Sequence, residues 1–235
     1  MSKPLTAVNP ATGEIIREVD TDSSSKVEEK LAKAEAAYKK WGQTSFSERR
    51  TVLEKVAAVL REDASAHAKL MIEEMGKPVK EALGEVEKAS WCAEHYAGRA
   101  ESYLSKDIIE SDAYLSYVQY MPLGPVLGIL PWNAPYWLAS RFFSPALMAG
   151  NSCLMKGDPN VPGCAQGLER AFEEAGAPEG LFQALYLHTP DVEDVIRDDR
   201  IQAVSFTGSS KGGAAVAAIA GSEIKPTVLE LGGSD

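Results

Sequence analysis

Four short stretches carry side chains that could do chemistry, and each follows or sits within an apolar run. Asn133 comes after Pro131-Trp132, Lys156 ends Cys153-Leu154-Met155, Gly208-Ser209 follows Phe206-Thr207, and Glu230 stands in Val228-Leu229-Glu230-Leu231 ahead of Gly232-Gly233. The amide of Asn133 could help hold a developing oxyanion, although Asn equally suits an ordinary turn. The ammonium of Lys156 could hydrogen-bond ribose hydroxyls or meet a phosphate, and a solvated lysine would be just as ordinary there. A glycine-serine corner opening a helix offers backbone N–H groups, a hydroxyl and the positive end of the helix dipole to a phosphate. The same corner is also a plain helix cap. Its spacing, Gly208 to Gly213, is not the G-x-G-x-x-G of the usual dinucleotide turn. Among its apolar neighbours Glu230 reads as the carboxylate of a buried strand, where desolvation raises its pKa toward that of a useful general base. Alternation on an edge strand would instead turn it to solvent.

The elements that must position these groups follow from hydrophobic spacing. Residues 5 to 20 alternate around Asn9-Pro10-Ala11-Thr12-Gly13 and predict a hairpin. Val27, Leu31, Ala34, Tyr38 and Trp41 predict a helix, with Ser25 and Glu28 as a capping box and Gly42 as its stop. A second helix is predicted with Phe46 as staple, Ser47 as cap and Val52, Leu53, Val56, Val59 and Leu60 inward. A third runs through Leu70, Met71 and Met75, and a fourth from Val79 to Leu104 follows the break at Gly76-Lys77-Pro78. Residues 107 to 121 turn to strand character around Ser111-Asp112. A lone two-stranded ribbon is marginal in water, so this one is expected to lie against another sheet or another subunit.

After Gly124 short apolar runs alternate with helical segments, the pattern of a parallel sheet with crossover helices. The runs are Val126 to Leu130, Cys153 to Met155, Phe182 to Leu187, Ile201 to Phe206 and Thr227 to Leu231. The intervening helices lie near Tyr136 to Ala149, Gly163 to Ala175, Val192 to Arg197 and Gly212 to Ala220. The predicted class is therefore α/β, a Rossmann-like doubly wound parallel sheet with an N-terminal helical layer and a β-ribbon arm. Such sheets bind ligands outside the carboxyl ends of their strands, and all four chemically equipped stretches fall there.

Bulk properties narrow the partners. A chain of 235 residues with 45% hydrophobic content can build a large core, and a net charge of -10 repels both a phosphate backbone and an anionic membrane surface. No nucleic acid and no membrane are expected, and small molecules are the ligands left. No stretch reaches the roughly 20 apolar residues of a membrane span, and the N-terminus lacks the apolar core of a secretory signal, so a cytoplasmic location is predicted. Cys92, Cys153 and Cys164 read as free thiols of a reducing compartment. His67, His95 and His188 are too scattered to suggest a metal.

Taken in order, Pro131-Trp132-Asn133, Lys156, Phe206-Thr207-Gly208-Ser209 and Glu230-Leu231-Gly232-Gly233 resemble the motif set of the aldehyde dehydrogenase superfamily. Asn9-Pro10-Ala11-Thr12-Gly13, Glu74-Met75-Gly76-Lys77-Pro78 and the 107 to 121 ribbon match as well. Lys156 to Cys164 and Leu229 to Asp235 are most similar to the bacterial succinate-semialdehyde dehydrogenase branch. The resemblance implies a hairpin and helical part over 1–106, a β-ribbon oligomerisation arm over 107–123 and an NAD(P)-binding part over 124–235. It gives Asn133 the oxyanion role and Glu230 that of the base activating water for thioester hydrolysis. Lys156 would hold the adenosine ribose and Gly208 and Ser209 the pyrophosphate. Ile129, Leu130 and Trp132 would line the cleft, with Phe206, Leu231 and Gly232 completing the cofactor-binding set. Hydride would leave a small aldehyde, succinate semialdehyde, for NAD or NADP, in a homo-oligomer joined through the 107–121 arm. The family's nucleophilic cysteine follows the glutamate motif, beyond Asp235, so the expectation is a cofactor-binding fragment without its catalytic domain and without turnover.

Two departures from the family pattern bear on the cofactor. Pro159 stands three residues after Lys156, where NAD-preferring relatives often carry a glutamate, and its presence removes repulsion toward a 2′-phosphate. His188-Thr189-Pro190-Asp191 also lacks the glycine-rich turn that many relatives have. Two other readings remain open at this level. One is a non-catalytic dinucleotide-binding module or assembly partner of a full-length relative. The other is a different enzyme using Cys153 or Cys164 as nucleophile, which their predicted positions in a strand and a helix disfavour.

Overall fold

The computed structural model describes residues 3–233, so Met1, Ser2 and the final Ser234-Asp235 of the terminal motif lie outside the described residues. The chain opens with a hairpin of β1 (Leu5–Val8) and β2 (Ile15–Val19) and continues into α1 (Ser24–Trp41), α2 (Phe46–Glu62), α3 (Ala64–Met75) and α4 (Val79–Tyr103). Both predicted N-caps move two residues upstream. Ser23 caps α1 by accepting the Lys26 amide at 3.3 Å, and Ser45 forms the capping box of α2 with Glu48. Ser23 and Ser45 have extended backbone, ψ 162° and 160°, which frees their hydroxyls to turn back onto the helix, whereas Ser25 and Ser47 are already helical. Phe46 is accordingly the first helical residue and not a staple. Gly76 ends α3 in the left-handed conformation, φ 71°, as the Gly-Lys-Pro break predicts.

The ribbon consists of β3 (Asp107–Ile109) and β4 (Ser116–Val118), antiparallel to one another and paired with no other strand among the described residues. Its apolar side chains, including Ile108, Tyr114 and Leu115, are exposed.

The second half alternates β5 (Pro125–Ile129), α5 (Pro135–Met148), β6 (Ser152–Lys156), α6 (Pro162–Glu174), β7 (Phe182–Ala184), α7 (Val192–Arg197), β8 (Ala203–Gly208), α8 (Ser210–Ser222) and β9 (Thr227–Leu231). These strands form one all-parallel sheet in the order β7-β6-β5-β8-β9. The chain winds outward from β5 through β6 to β7, then returns past β5 to build β8 and β9 on the other side. Strand order reverses between β5 and β8, which makes that junction the topological switch point.

Side-chain alternation gives the sheet two apolar faces. Val126, Cys153, Met155 and Phe182 join one buried cluster with α2 to α6, while Leu127, Leu154, Val204 and Phe206 join another with α1, α7 and α8. The N-terminal helices are therefore split: α1 covers one face and α2 to α4 reinforce the other.

The two edges of the sheet differ. At β7 the Glu169 carboxylate accepts the Ala184 amide at 2.7 Å, Asp22 accepts the Tyr186 amide at 2.9 Å, and Lys30 donates to the Ala184 carbonyl at 2.7 Å. These contacts occupy the edge where the predicted strand would have run on to Leu187. At the other edge, β9 is not the buried strand its composition predicts. Val228 and Leu231 are 62% and 44% exposed, because β9 is an outermost strand with no further strand beside it among the described residues.

Candidate functional site

Parallel register brings the predicted residues to one end of the sheet. Ile129 at the tip of β5 stands opposite Lys156 on β6 and Phe206 on β8, and Gly208 on β8 stands opposite Leu231 on β9. A cleft of about 500 Å³ opens beyond these tips, lined by Leu130 and Trp132 from the β5 loop, Lys156, Phe206, Gly208 and Ser209. Ile129 lines it too, so seven of the nine predicted cofactor-binding residues share one cavity at the switch point. Leu231 and Gly232 stand outside it. Leu231 instead packs on α8, where a Cβ added to Gly213 would lie 2.5 Å from its Cδ2.

Lys156 is the most informative of the group. Its side chain faces the cleft yet the residue is only 5% exposed, and among the described residues its ammonium makes no ion pair. Burial holds its pKa below that of a free lysine, with Asp158 pulling weakly the other way. An unpaired, desolvated cation at a strand tip is costly in the folded chain and suited to an anionic or hydroxyl-bearing ligand.

Ser209 caps α8 and lines the cleft as well. Its Oγ accepts the Gly212 amide at 3.2 Å at the start of α8. Gly208, Ser209 and Gly212 all line the cleft, and the Phe206 ring sits so close that a Cβ on Gly208 or Gly212 would lie 2.8 or 2.7 Å from its Cζ. Glycine at both positions lets backbone, ring and ligand space coexist.

The two catalytic candidates flank the cleft and do not line it. Asn133 is exposed, and its backbone carbonyl accepts from Lys77 Nζ at 2.8 Å. Glu230 forms an ion pair with Arg141 of α5, and its side chain is 39% exposed. Glu230 is half-buried and is the least exposed residue of β9, on the face of the strand that meets α5. Pro159 stands beside the cleft-lining Asp158, whose carboxylate accepts the Asn160 amide at 2.9 Å in a local turn. After β7 the segment Thr189–Asp191 forms a short 3-10 turn leading into α7, and Thr189 and Pro190 complete the cleft wall.

Two carboxylates that hold the site in place escaped the sequence reading as functional parts. α5 and α6 both begin with proline, and the residues before them, Ala134 and Val161, cannot cap. Carboxylates from the helical layer supply the caps. Glu85 on α4 accepts the amides of Tyr136 and Trp137 at 2.8 and 3.2 Å, and pairs with Lys77. Glu74 on α3 accepts those of Gly163 and Cys164 at 2.9 and 3.1 Å and pairs with Arg17 at 2.9 Å. The available signal was indirect: two proline-led helices without local caps, and glutamates placed among apolar helix positions.

None of the three thiols lines the cleft. Cys92, Cys153 and Cys164 are all buried, and burial raises the pKa of each. A nucleophilic thiolate needs the opposite environment, so neither Cys153 nor Cys164 suits the alternative enzyme.

A doubly wound parallel sheet with a cleft at its switch point makes this a Rossmann-like α/β protein. The whole chain, residues 1–235, matches the aldehyde dehydrogenase family model. The chain belongs to the aldehyde dehydrogenase family. It is similar to a probable NADP(+) succinate-semialdehyde dehydrogenase of Synechocystis sp., 41% identical over 231 residues, 98% of this chain and 51% of that protein. Succinate-semialdehyde dehydrogenase [NADP(+)] 1 of Mycobacterium tuberculosis is 41% identical over 235 residues, 99% of this chain and 51% of its own length. The crystal structure of succinic semialdehyde dehydrogenase from Streptococcus pyogenes in complex with NADP+ matches with a TM-score of 0.95 at 35% identity, covering 100% of this chain and 51% of that one. The chain spans about half the length of the curated relatives it matches. Among the described residues, no helix is long and apolar enough to cross a membrane.

Proposed function

We propose that this chain is the nicotinamide dinucleotide-binding part of an aldehyde dehydrogenase that oxidises succinate semialdehyde to the carboxylate. The single observation that carries the cofactor reading is the buried, unpaired Lys156 facing the cleft. Its relatives' names support NADP as the dinucleotide and succinate semialdehyde as the aldehyde. Pro159 supports the same choice, since no carboxylate at that position opposes a 2′-phosphate.

The bound dinucleotide supplies the hydride acceptor. Lys156 orients the adenosine ribose, and the amides at the start of α8 with Gly208 and Ser209 hold the pyrophosphate. Ile129, Leu130, Trp132 and Phe206 exclude water from the cleft, while Leu231, packed on α8 outside it, backs the helix that opens at Ser209. Asn133 donates its side-chain amide to the developing oxyanion, and Glu230 takes a proton from the attacking water. The three thiols are buried, so none serves as nucleophile and the chain by itself binds cofactor without turning over. The proposed division is 1–106 as the hairpin and helical part, 107–123 as an oligomerisation arm and 124–235 as the dinucleotide-binding part. The protein works as a cytoplasmic homo-oligomer.

Calorimetric titration of the purified chain with NADP+ and NAD+ tests this. The expected result is saturable binding, tighter for NADP+, that Lys156→Met abolishes; no binding of either dinucleotide overturns the reading. Oxidation of succinic semialdehyde by this chain alone would contradict its proposed inactivity. The exposed ribbon favours a second role, co-assembly with a full-length relative, which size-exclusion chromatography of the mixture would reveal.

A further inference from the structure

Lys77 and Glu85 form a largely buried ion pair against the loop that joins β5 to α5. Glu85, 7% exposed, accepts the first free amides of α5, and Lys77 donates to the carbonyl of Asn133 at 2.8 Å. The turn Pro131–Asn133 is thus clamped at both ends. β5 fixes its beginning, and a cation and a carboxylate from the helical layer fix its exit. The clamp is needed because Ala134 offers no local cap and Asn133 is otherwise exposed. The Lys156 side of the cleft is set by a different carboxylate, Glu74, which holds the start of α6 beyond the Asp158–Val161 turn.

We infer that Lys77 and Glu85 are a positioning pair that fixes Trp132 and Asn133 for the nicotinamide half of the dinucleotide, independently of the adenosine half. This rests on the cofactor reading above. The two halves of the cleft are then tuned by separate ion pairs, Lys77–Glu85 for one and Arg17–Glu74 for the other. A charged acceptor on backbone amides is stronger than a neutral one, so Glu85→Gln weakens the clamp while preserving shape.

The test combines hydrogen exchange of the unliganded chain with titration by NADP+ and by 2′,5′-ADP, which lacks the nicotinamide half. In Glu85→Gln and Lys77→Met, exchange of amides 132–137 accelerates roughly tenfold while 157–164 stay protected, and Lys77→Arg restores protection. NADP+ affinity drops about tenfold in the same two variants, and 2′,5′-ADP affinity is unchanged. Glu74→Gln gives the converse pattern. Simultaneous loosening of both segments, or no change in either, overturns the proposal, as does equal loss of both ligands. If the parent chain binds neither ligand, the cofactor reading falls and the exchange pattern alone decides the positioning role. Should Glu85→Gln fail to fold, Lys77→Met carries the same comparison from the other end of the clamp.

Discussion

Glu74 Oε1 accepts the backbone amide of Gly163 at 2.9 Å across 89 residues of sequence, and the approach is so close that a Cβ on Gly163 would lie 2.3 Å from that oxygen. The carboxylate caps α6 and pairs with Arg17, so one buried group ties the hairpin, the helical layer and the sheet together. Gly163→Ala is therefore expected to destabilise the chain by about 2 kcal/mol, read as a lower urea midpoint with an unchanged slope. Wild-type stability in that variant would show that Glu74 moves aside freely.

Lys156→Met should separate stability from binding. The substitution removes a buried cation without an ion-pair partner and keeps most of the apolar stem, so stability is expected to stay level or rise by up to about 1 kcal/mol. NADP+ binding should be lost. The folded-state pKa lies below the unfolded value, so at alkaline pH the unfolded chain holds the proton more tightly and wild-type stability rises toward pH 10.5. Denaturation curves of the Met variant between pH 8 and 10 should lack that rise.

His67 makes the fold sensitive to acid. Its Nδ1 meets the Tyr136 hydroxyl at 2.8 Å, its buried Nε2 has no partner among the described residues, and burial drives its pKa down to about 4. Asp63 opposes that shift and Arg170 adds to it. Between pH 6.5 and 4 the unfolded chain binds a proton that the folded chain refuses, so stability falls as pH drops through that window by about 3 kcal/mol. His67→Gln should flatten this part of the profile in urea titrations at successive pH values. An unaltered slope would locate the acid sensitivity elsewhere.

Ile224, between α8 and β9, is a β-branched residue at φ 56° and is 90% exposed. Left-handed backbone strains such a side chain, and nothing is gained by its burial. Ile224→Gly should raise the thermal midpoint by a few degrees, about 1 kcal/mol. A drop would mean that the isoleucine makes a contact outside this chain.

The sheet was legible in the sequence because parallel strands buried on both faces read as short apolar runs, and each of the five appears within a few residues of its expected bounds. Cleft residues were legible because ligand groups in this architecture sit where those runs end, which placed Lys156, Gly208 and Trp132 together. Edge and centre were not legible. Val228 and Leu229 have the composition of a central strand, and only the order of strands in space exposes them. Caps were misplaced by two residues at Ser25 and Ser47 because serines cluster there and spacing alone cannot say which has extended backbone. Glu74 and Glu85 were missed for a deeper reason: a cap supplied from another helix leaves no local pattern at the helix it serves.

The three buried thiols give the molecule an internal clock. Cys92 sits within the helical layer, Cys153 in the middle of the sheet and Cys164 at the start of a crossover helix. A thiol reagent can reach each sulfur only when its own neighbourhood opens, so the order in which they are modified reports which part of the architecture breathes first.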